Sequence, residues 1–222
     1  ENFRKQKCYV GLDLSSGGDL TALAIVIPFV KDGTKKYYVH AHSFIPKRRV
    51  EEHIKTDRVP YDLWIRQGLV TVTETMGGVK TDYKYILAYL ERIVKQYELD
   101  VQLVCYDPHN ASAFLVDLEA LGYDSISVTQ SAKALNDATV DFRLEIESGN
   151  VEHDGNGAIT WSIANAKTTS NSFGEIKIEK EYQTERIDII YAIIDAWTSA
   201  MKGDAKPDLN EAFEMWMKLN KK

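Results

Sequence analysis

Three aspartates occupy positions where local sequence rules do not expect a charge. Asp13 directly follows the apolar run KCYVGL, Asp107 follows the apolar run VQLVCY, and Asp188 opens a strongly apolar helical segment. Burying an unpaired carboxylate is expensive, so each side chain should either cap an element or bind a cation. Taken singly, each is more simply a turn former or a helix-start residue. The coincidence of all three favours a site for divalent metal.

Carboxylate oxygens suit Mg²⁺ or Mn²⁺, and two such ions about 4 Å apart can hold both the attacking water and the leaving oxygen of a phosphodiester. Such a site would suit the hydrolysis of a phosphodiester. Asp19 lies across the SSGG turn from Asp13 and could face the same cluster. Asp195 lies about two helical turns beyond Asp188, on nearly the same helix face. Because Asp188 stands at the helix start, nearest the strand ends, it is predicted to contact metal more directly than Asp195.

Basic side chains that could meet a DNA backbone are also typical of a solvated surface. They form three groups: Lys35 and Lys36; Lys47, Arg48 and Arg49; and Lys177 and Lys180. His109, beside Asp107, could contact a phosphate or orient a water. The net charge of −6 argues against an avid, non-specific nucleic-acid coat, but it is compatible with an acidic nuclease that has a local basic strip. No Walker-type loop, HExxH motif or nucleophile elbow occurs in the sequence.

The elements that must position these aspartates follow from the spacing of apolar residues. Strands are predicted at residues 7–12, 21–30, 35–46, 69–73, 101–106 and 124–130. Helices are predicted at residues 47–58, 61–68, 82–98, 110–122 (capped by Asn110), 131–150 and 185–202, with residues 155–176 as a loop holding one short element. This order predicts the ribonuclease H-like α/β fold, a mixed sheet of three antiparallel strands followed by parallel strands and flanked by helices.

Composition indicates one globular domain over residues 1–203 and a charged tail, 204–222, that predicts a short helix. No apolar run approaches the roughly 18–20 residues of a membrane span, and the polar start ENFRKQK does not resemble a signal peptide. We therefore expect no membrane partner and a cytoplasmic location. Cys8 and Cys105 lie inside apolar runs, which predicts buried free thiols in a reducing compartment.

Six segments in a fixed order resemble the C-terminal nuclease domain of the large terminase subunit of tailed bacteriophages. They are VGLDLSSGGDLTALAIV, RVPYDLWIRQGLVTVT, DYKYI, YDPHNA, WSIANA and ERIDIIYAIIDAW, and they extend from about residue 7 to residue 201. The resemblance implies an endonuclease that cuts concatemeric double-stranded viral DNA during genome packaging. It implies Asp13, Asp107 and Asp188 as catalytic ligands of two Mg²⁺ or Mn²⁺ ions, with Asp19 as an accessory acid.

The same resemblance implies partners and a setting. The partners would be an N-terminal ATPase motor, which is absent from this chain, the small terminase subunit and the portal. The setting would be the cytoplasm of a bacterial host, with the gene carried by a phage or prophage. Some relatives have adjacent acids where this chain has Ile187-Asp188. Whether Asp195 supplies the missing carboxylate is therefore open.

Other functions fit parts of the pattern. The strand–DLSSGG–strand segment also resembles the phosphate hairpin of actin-like and sugar-kinase nucleotide-binding domains, although that fold needs two such domains and 222 residues hardly accommodate them. A transposase or junction resolvase would share the acids, and a catalytically silent DNA-binding module would share the fold. Metal-dependent nicking of a supercoiled plasmid separates a nuclease from the nucleotide-binding and silent alternatives.

Overall fold

Three long apolar runs near the N-terminus form the antiparallel strands that their alternation predicts. The computed structural model describes residues 3–15, 20–74, 76–109, 111–182 and 184–203. The three strands are β1 (Lys7–Asp13), β2 (Thr21–Lys31) and β3 (Thr34–Pro46). Asp32 and Gly33 connect β2 to β3 with φ values of 51° and 76°. Positive φ at both central residues is what a two-residue hairpin turn with the right twist requires.

Parallel strands extend this antiparallel unit on both sides. They are β4 (Val70–Thr73), β5 (Asp100–Tyr106), β6 (Ser125–Ser127) and β7 (Val151–His153). The strand order is β4-β3-β2-β1-β5-β6, with β7 also paired to β3. β5 runs parallel to β1, β6 runs parallel to β5, and β4 and β7 run parallel to β3. The predicted ribonuclease H-like mixed sheet is confirmed.

Seven α-helices among the described residues flank the sheet. They are α1 (Val50–Asp57), α2 (Tyr61–Arg66), α3 (Tyr83–Tyr97), α4 (Ser112–Ala120), α5 (Ala132–Glu147), α6 (Gly157–Asn165) and α7 (Asp188–Ala200). Side-chain caps fix several starts: Asp82 accepts from the Lys84 amide at α3, and Ser131 accepts from the Ala134 amide at α5. None of the described helices has the length and apolarity that a membrane crossing requires.

The prediction that residues 155–176 form a loop with one short element was wrong. This region contains the whole of α6 and of β8 (Ala166–Ser170), and β8 pairs with β9 (Ile176–Lys180) in a two-stranded antiparallel sheet. The Asn156 side chain caps α6 by accepting from the Ala158 and Ile159 amides. The Gly, Ser and Asn residues that indicated a loop lie mainly at the element ends and in the β8–β9 turn. The predicted Asn110 cap and the tail helix at 204–222 lie outside the described residues.

Alternate residues of β1 face two separate cores. Cys8, Val10 and Leu12 pack with α3 and α4, whereas Tyr9 packs in the core that contains α7. Gly11 faces α7 as well, since a Cβ built on it meets that helix. This alternation is the period-2 pattern of a strand buried on both faces. Both cysteines are buried and free, as predicted.

Gly11 lets the backbone of α7 lie directly on β1. A Cβ at this position would be 1.8 Å from the Ala192 carbonyl oxygen and 2.8 Å from the Ala196 amide nitrogen. No real Cβ occupies such a position, so any larger residue must push the helix off the sheet. The glycine is required here for close approach, and its φ is not in the left-handed region.

We predict that Gly11→Ala destabilises the domain by about 3 kcal/mol, because the new methyl group collides with backbone rather than with a movable side chain. For a domain of this size the melting temperature should fall by roughly 6–12 °C. The control is Gly157→Ala, whose Cβ would lie 3.4 Å from Trp64 Nε1, at ordinary contact distance. Equal melting temperatures for the two variants would contradict the proposed backbone contact.

Candidate metal centre

Asp13 and Asp107 lie side by side at one edge of the sheet. Asp13 is the last residue of β1, and Asp107 directly follows β5. Leu12 and Tyr106 are partners in the parallel ladder, and the Asp107 amide donates to the Leu12 carbonyl oxygen at 3.3 Å. The two aspartates therefore stand at the ends of adjacent strands, and neighbouring strands are about 4.8 Å apart. The predicted meeting of these two strand ends is therefore present.

The start of α7 lies over the same edge. At the far end of the helix, the Tyr9 hydroxyl donates to the Gly203 carbonyl oxygen at 3.0 Å, and in between Gly11 lies against Ala192. From Gly11 to Asp13 the strand advances about 7 Å toward the acidic edge. From Ala192 back to Asp188 the helix advances about 6 Å in the same direction, so the start of α7 lies over that edge. Asp188 is buried, with 8% of its surface exposed.

Among the predicted site acids that the structure describes, Asp195 is the most buried, with none of its surface exposed. Gln130, which follows β6, donates from Nε2 to Asp195 Oδ1 at 3.0 Å. Asp195 Oδ2 and Gln130 Oε1 are both buried with no hydrogen-bond partner in the described part of the chain. Burial raises the pKa of Asp195 well above its ordinary value; the Gln130 hydrogen bond opposes this rise and the nearby Asp107 carboxylate adds to it.

Tyr191 of α7 connects this acidic edge to β9. Its hydroxyl donates to the Ile178 carbonyl oxygen at 2.6 Å. Burial raises the pKa of this hydroxyl to about 12, and the carboxylates of Glu179, Asp13, Asp195 and Asp107 contribute to the rise. Three of the predicted site aspartates therefore act on one tyrosine, which places them in a common electrostatic neighbourhood.

Asp188 is within electrostatic reach of Tyr61, the first residue of α2. Burial raises the pKa of the Tyr61 hydroxyl, with further contributions from Asp57 and from Asp188.

Asp19 lies outside the described residues. Across the described residues, no three acidic, histidine or cysteine side chains are grouped closely enough to hold a metal ion on their own.

The basic candidates divide between the two ends of the sheet. Ser43 of β3 is level with Asp13, through Ala22 of β2. Lys36 lies seven residues before Ser43, hence about 23 Å away along the strand. Lys35 is one residue further still. These two lysines are therefore at the opposite end from the acids, which the sequence did not indicate.

The other basic candidates lie nearer the acidic edge. Lys47, Arg48 and Arg49 directly follow β3 at that end, where Lys47 pairs with Glu74 at 2.8 Å and Arg49 with Glu52 at 2.6 Å. Lys177 and Lys180 belong to β9, beside Tyr191, and Lys177 pairs with Glu179 at 2.7 Å. The side chains of Arg48, Lys180 and His109 are exposed. The His109 amide donates to Asp107 Oδ1 at 2.9 Å.

Gln130 and Tyr191 were not predicted as parts of the site. Gln130 follows the carboxyl end of a parallel strand, which is where ligands bind in open α/β sheets, so its position was a usable signal. Tyr191 lies three residues after Asp188, on an apolar helix where an aromatic residue indicates core packing. Only the fold reveals that it faces the acids.

The sequence of this chain matches the family described as the endonuclease domain of the terminase large subunit, over residues 1–204. The large terminase subunit of Enterobacteria phage HK97 is 30% identical over 190 residues, which cover 85% of this chain and 36% of that protein. Protein YmfN of Escherichia coli (strain K12) is 28% identical over 225 residues, covering 97% of this chain and 48% of that protein. The chain thus spans less than half the length of these two relatives.

Solved structures give the same result for the fold. The crystal structure of the HK97 large terminase superposes with a TM-score of 0.78 at 30% identity, over 89% of this chain and 40% of that one. The large terminase nuclease of thermophilic phage G20c superposes with a TM-score of 0.56 at 12% identity, over 87% and 82% of the two chains. Its forms with bound magnesium and bound cobalt superpose with TM-scores of 0.53 and 0.51. Since the family match extends over residues 1–204 of 222, this chain belongs to the endonuclease domain family of the terminase large subunit.

Proposed function

We propose that this endonuclease domain cuts concatemeric double-stranded viral DNA during genome packaging, by hydrolysis that depends on divalent metal. The observation that carries the proposal is the placement of Asp13 and Asp107 on adjacent strand ends, with the start of α7 over the same edge. Family membership favours this function over the actin-like and sugar-kinase alternatives, which rest on the DLSSGG turn alone.

The residues at this edge fit a hard divalent cation. The donor atoms are the carboxylate oxygens of Asp13, Asp107 and Asp188, and all-oxygen sites suit Mg²⁺ and Mn²⁺ rather than softer metals. Asp195 Oδ2 and Gln130 Oε1 are buried and lack a hydrogen-bond partner among the described residues, so they offer further oxygens to waters bound to an ion. The G20c nuclease, whose structures contain bound magnesium or cobalt, supports a divalent ion here.

Each acid has a distinct part in the proposed mechanism. When bound, two divalent ions would activate water and stabilise the leaving oxygen of the phosphodiester. Asp13, at the end of the central strand β1, would hold the ions together with Asp107 and Asp188. Asp19 would be an accessory acid. Asp195, held by Gln130, would support the edge from below rather than bind an ion directly.

DNA would reach this edge along basic side chains nearby. We assign that contact to the strip Lys47, Arg48 and Arg49, to Lys177 and Lys180 of β9, and to His109. Lys35 and Lys36 lie about 23 Å away and are not assigned to the cutting site. In a full-length large subunit the domain would work with the ATPase motor, the small terminase subunit and the portal in the host cytoplasm.

Asp13→Asn should abolish metal-dependent plasmid nicking while the fold stays intact. The substitution removes one ligand charge and also relieves repulsion among the clustered carboxylates, so the melting temperature should hold or rise. The matched control is Asp62→Asn, an exposed acid on α2, which should nick like the parent chain. Full activity in a folded Asp13→Asn protein would remove Asp13 from the mechanism.

Asp188→Asn should reduce nicking at least about 100-fold, whereas Asp195→Asn should cost much less. The reason is that Asp188 begins α7 at the acidic edge, while Asp195 is fully buried and one of its oxygens, Oδ1, accepts a hydrogen bond from Gln130. Plasmid nicking at saturating Mn²⁺ measures both. The reverse ranking would assign the direct metal contact to Asp195.

The stability of Asp195→Asn relative to the parent chain, measured as a function of pH, tests whether burial raises the pKa of Asp195. Its pKa is raised in the folded protein, so ionisation costs native stability increasingly as the pH rises from about 4. Asp195→Asn removes that cost. The variant should therefore match the parent chain near pH 4 and melt at a higher temperature near pH 8. A parent chain that is more stable at both pH values would show that the Asp195 charge is compensated.

Mn²⁺ should raise the melting temperature, because a ligand that binds only the folded state stabilises it. At about 100 times its Kd the gain is about 2.7 kcal/mol, which corresponds to roughly 5–10 °C here. Ca²⁺ should also stabilise the domain but support little nicking, since its looser coordination positions water poorly. A melting temperature indifferent to millimolar Mn²⁺ would contradict a preformed site.

A further inference from the structure

A buried ion pair fixes the chain just before α7. Arg186, two residues before Asp188, donates from Nε to Asp57 Oδ2 at 3.1 Å and from Nη2 to Asp57 Oδ1 at 3.2 Å. The Asp57 side chain is fully buried, and the Arg186 side chain is 11% exposed. A two-point contact between a planar guanidinium and a carboxylate fixes orientation as well as distance. Because Asp57 ends α1, the pair joins α1 to the start of α7.

Asp57 is held by further donors on its own segment. The Tyr61 hydroxyl donates to Oδ2 at 2.8 Å, the Thr56 hydroxyl donates to Oδ1 at 2.7 Å, and His53 Nδ1 lies 3.3 Å from Oδ2. Burial raises the pKa of Asp57, but hydrogen bonds from His53, Arg186, Thr56 and Tyr61 outweigh it and hold the pKa well below its usual range. The carboxylate is therefore a fixed negative charge at neutral pH, and Arg186 supplies the matching cation.

The start of α7 depends on such tertiary contacts. Ile187, at the N-cap position, makes no side-chain cap hydrogen bond. The Arg186 carbonyl oxygen accepts from Asn165 Nδ2 at 3.2 Å, and the Ile190 amide donates to Ser162 Oγ at 3.1 Å. Contacts from α1 and α6 therefore set where the first turn of α7 lies.

Asp188 is within electrostatic reach of this network, since it acts with Asp57 on the Tyr61 hydroxyl. Only Ile187 separates Arg186 from Asp188 along the chain. A displacement of the Arg186 backbone would therefore also displace the Asp188 carboxylate.

We propose that Arg186, through its two-point contact with Asp57, is a positioning residue that sets the location of the Asp188 carboxylate at the metal site. This inference rests on the proposed function, because it takes Asp188 to be a metal ligand. Metal–oxygen distances must fall close to 2.0–2.6 Å, so a small shift of a ligand weakens binding. Lysine keeps the charge of arginine but cannot reproduce the two-point contact.

The test is calorimetric titration of Mn²⁺ into the 222-residue chain, with plasmid nicking measured over the same Mn²⁺ range. Arg186→Gln and Asp57→Asn should each weaken Mn²⁺ binding at least tenfold and raise the Mn²⁺ concentration for half-maximal nicking similarly, with partial recovery at saturating Mn²⁺. Arg186→Lys should be intermediate. The control is Asp141→Ala, which removes the acceptor of the 2.7 Å hydrogen bond from Trp197 Nε1, nine residues beyond Asp188 on the same helix.

The control separates positioning from simple stabilisation. Asp141→Ala should lower the melting temperature while changing Mn²⁺ affinity by less than twofold. Arg186 variants that lose stability but keep Mn²⁺ affinity would overturn the inference, and Arg186→Lys allows this comparison if Arg186→Gln does not fold. If the parent chain binds no Mn²⁺, or Asp13→Asn binds it equally well, the proposed function fails first and the positioning role fails with it.

Discussion

The direct contact between the backbones of β1 and α7 is the constraint on which the acidic edge depends. A helix usually rests on a sheet through intervening side chains, but Gly11 contributes none beneath Ala192 and Ala196. Because the interior is close-packed, such a contact leaves little freedom for the helix to slide or rotate. The Tyr9 hydroxyl anchors the far end of the same unit at Gly203. The register of α7 against β1, and hence the position of Asp188 relative to Asp13, follows from these contacts.

Two buried aspartates of this protein have opposite ionisation behaviour for a simple physical reason. Asp57 and Asp195 are both removed from water, and burial alone raises the pKa of each. Asp57 receives several hydrogen bonds, including two from the guanidinium of Arg186, and these outweigh the cost of burial. Asp195 has the single amide of Gln130 and a neighbouring negative charge. The fold thus keeps a permanent charge where it joins helices, and beneath the acidic edge it holds an acid whose ionisation burial disfavours.

The sequence was sufficient for the parts of the fold and site that local pattern encodes. The apolar runs before Asp13 and Asp107, and the apolar period of α7, were enough to predict the mixed sheet and the pairing of β1 with β5. What was missed depends on contacts between distant residues. Asn156 caps α6 while donating to Ala41, 115 residues away, and the pairs Gln130–Asp195 and Arg186–Asp57 span 65 and 129 residues. A periodicity argument has no access to such pairs, because it compares residues only within one segment.

The buried thiol of Cys105 offers a way to measure local opening of this domain. Its sulfur lies 3.3 Å from Ser199 Oγ, between β5 and α7, and burial raises the pKa of the thiol to about 11. The thiolate is the form that attacks thiol reagents, so this group is protected both by burial and by its proton. A reagent can reach it only after the packing around the contact between β5 and α7 has opened. The rate of chemical labelling at Cys105 therefore reports how often the domain opens locally beside α7, the helix that carries Asp188. The measurement requires no introduced cysteine.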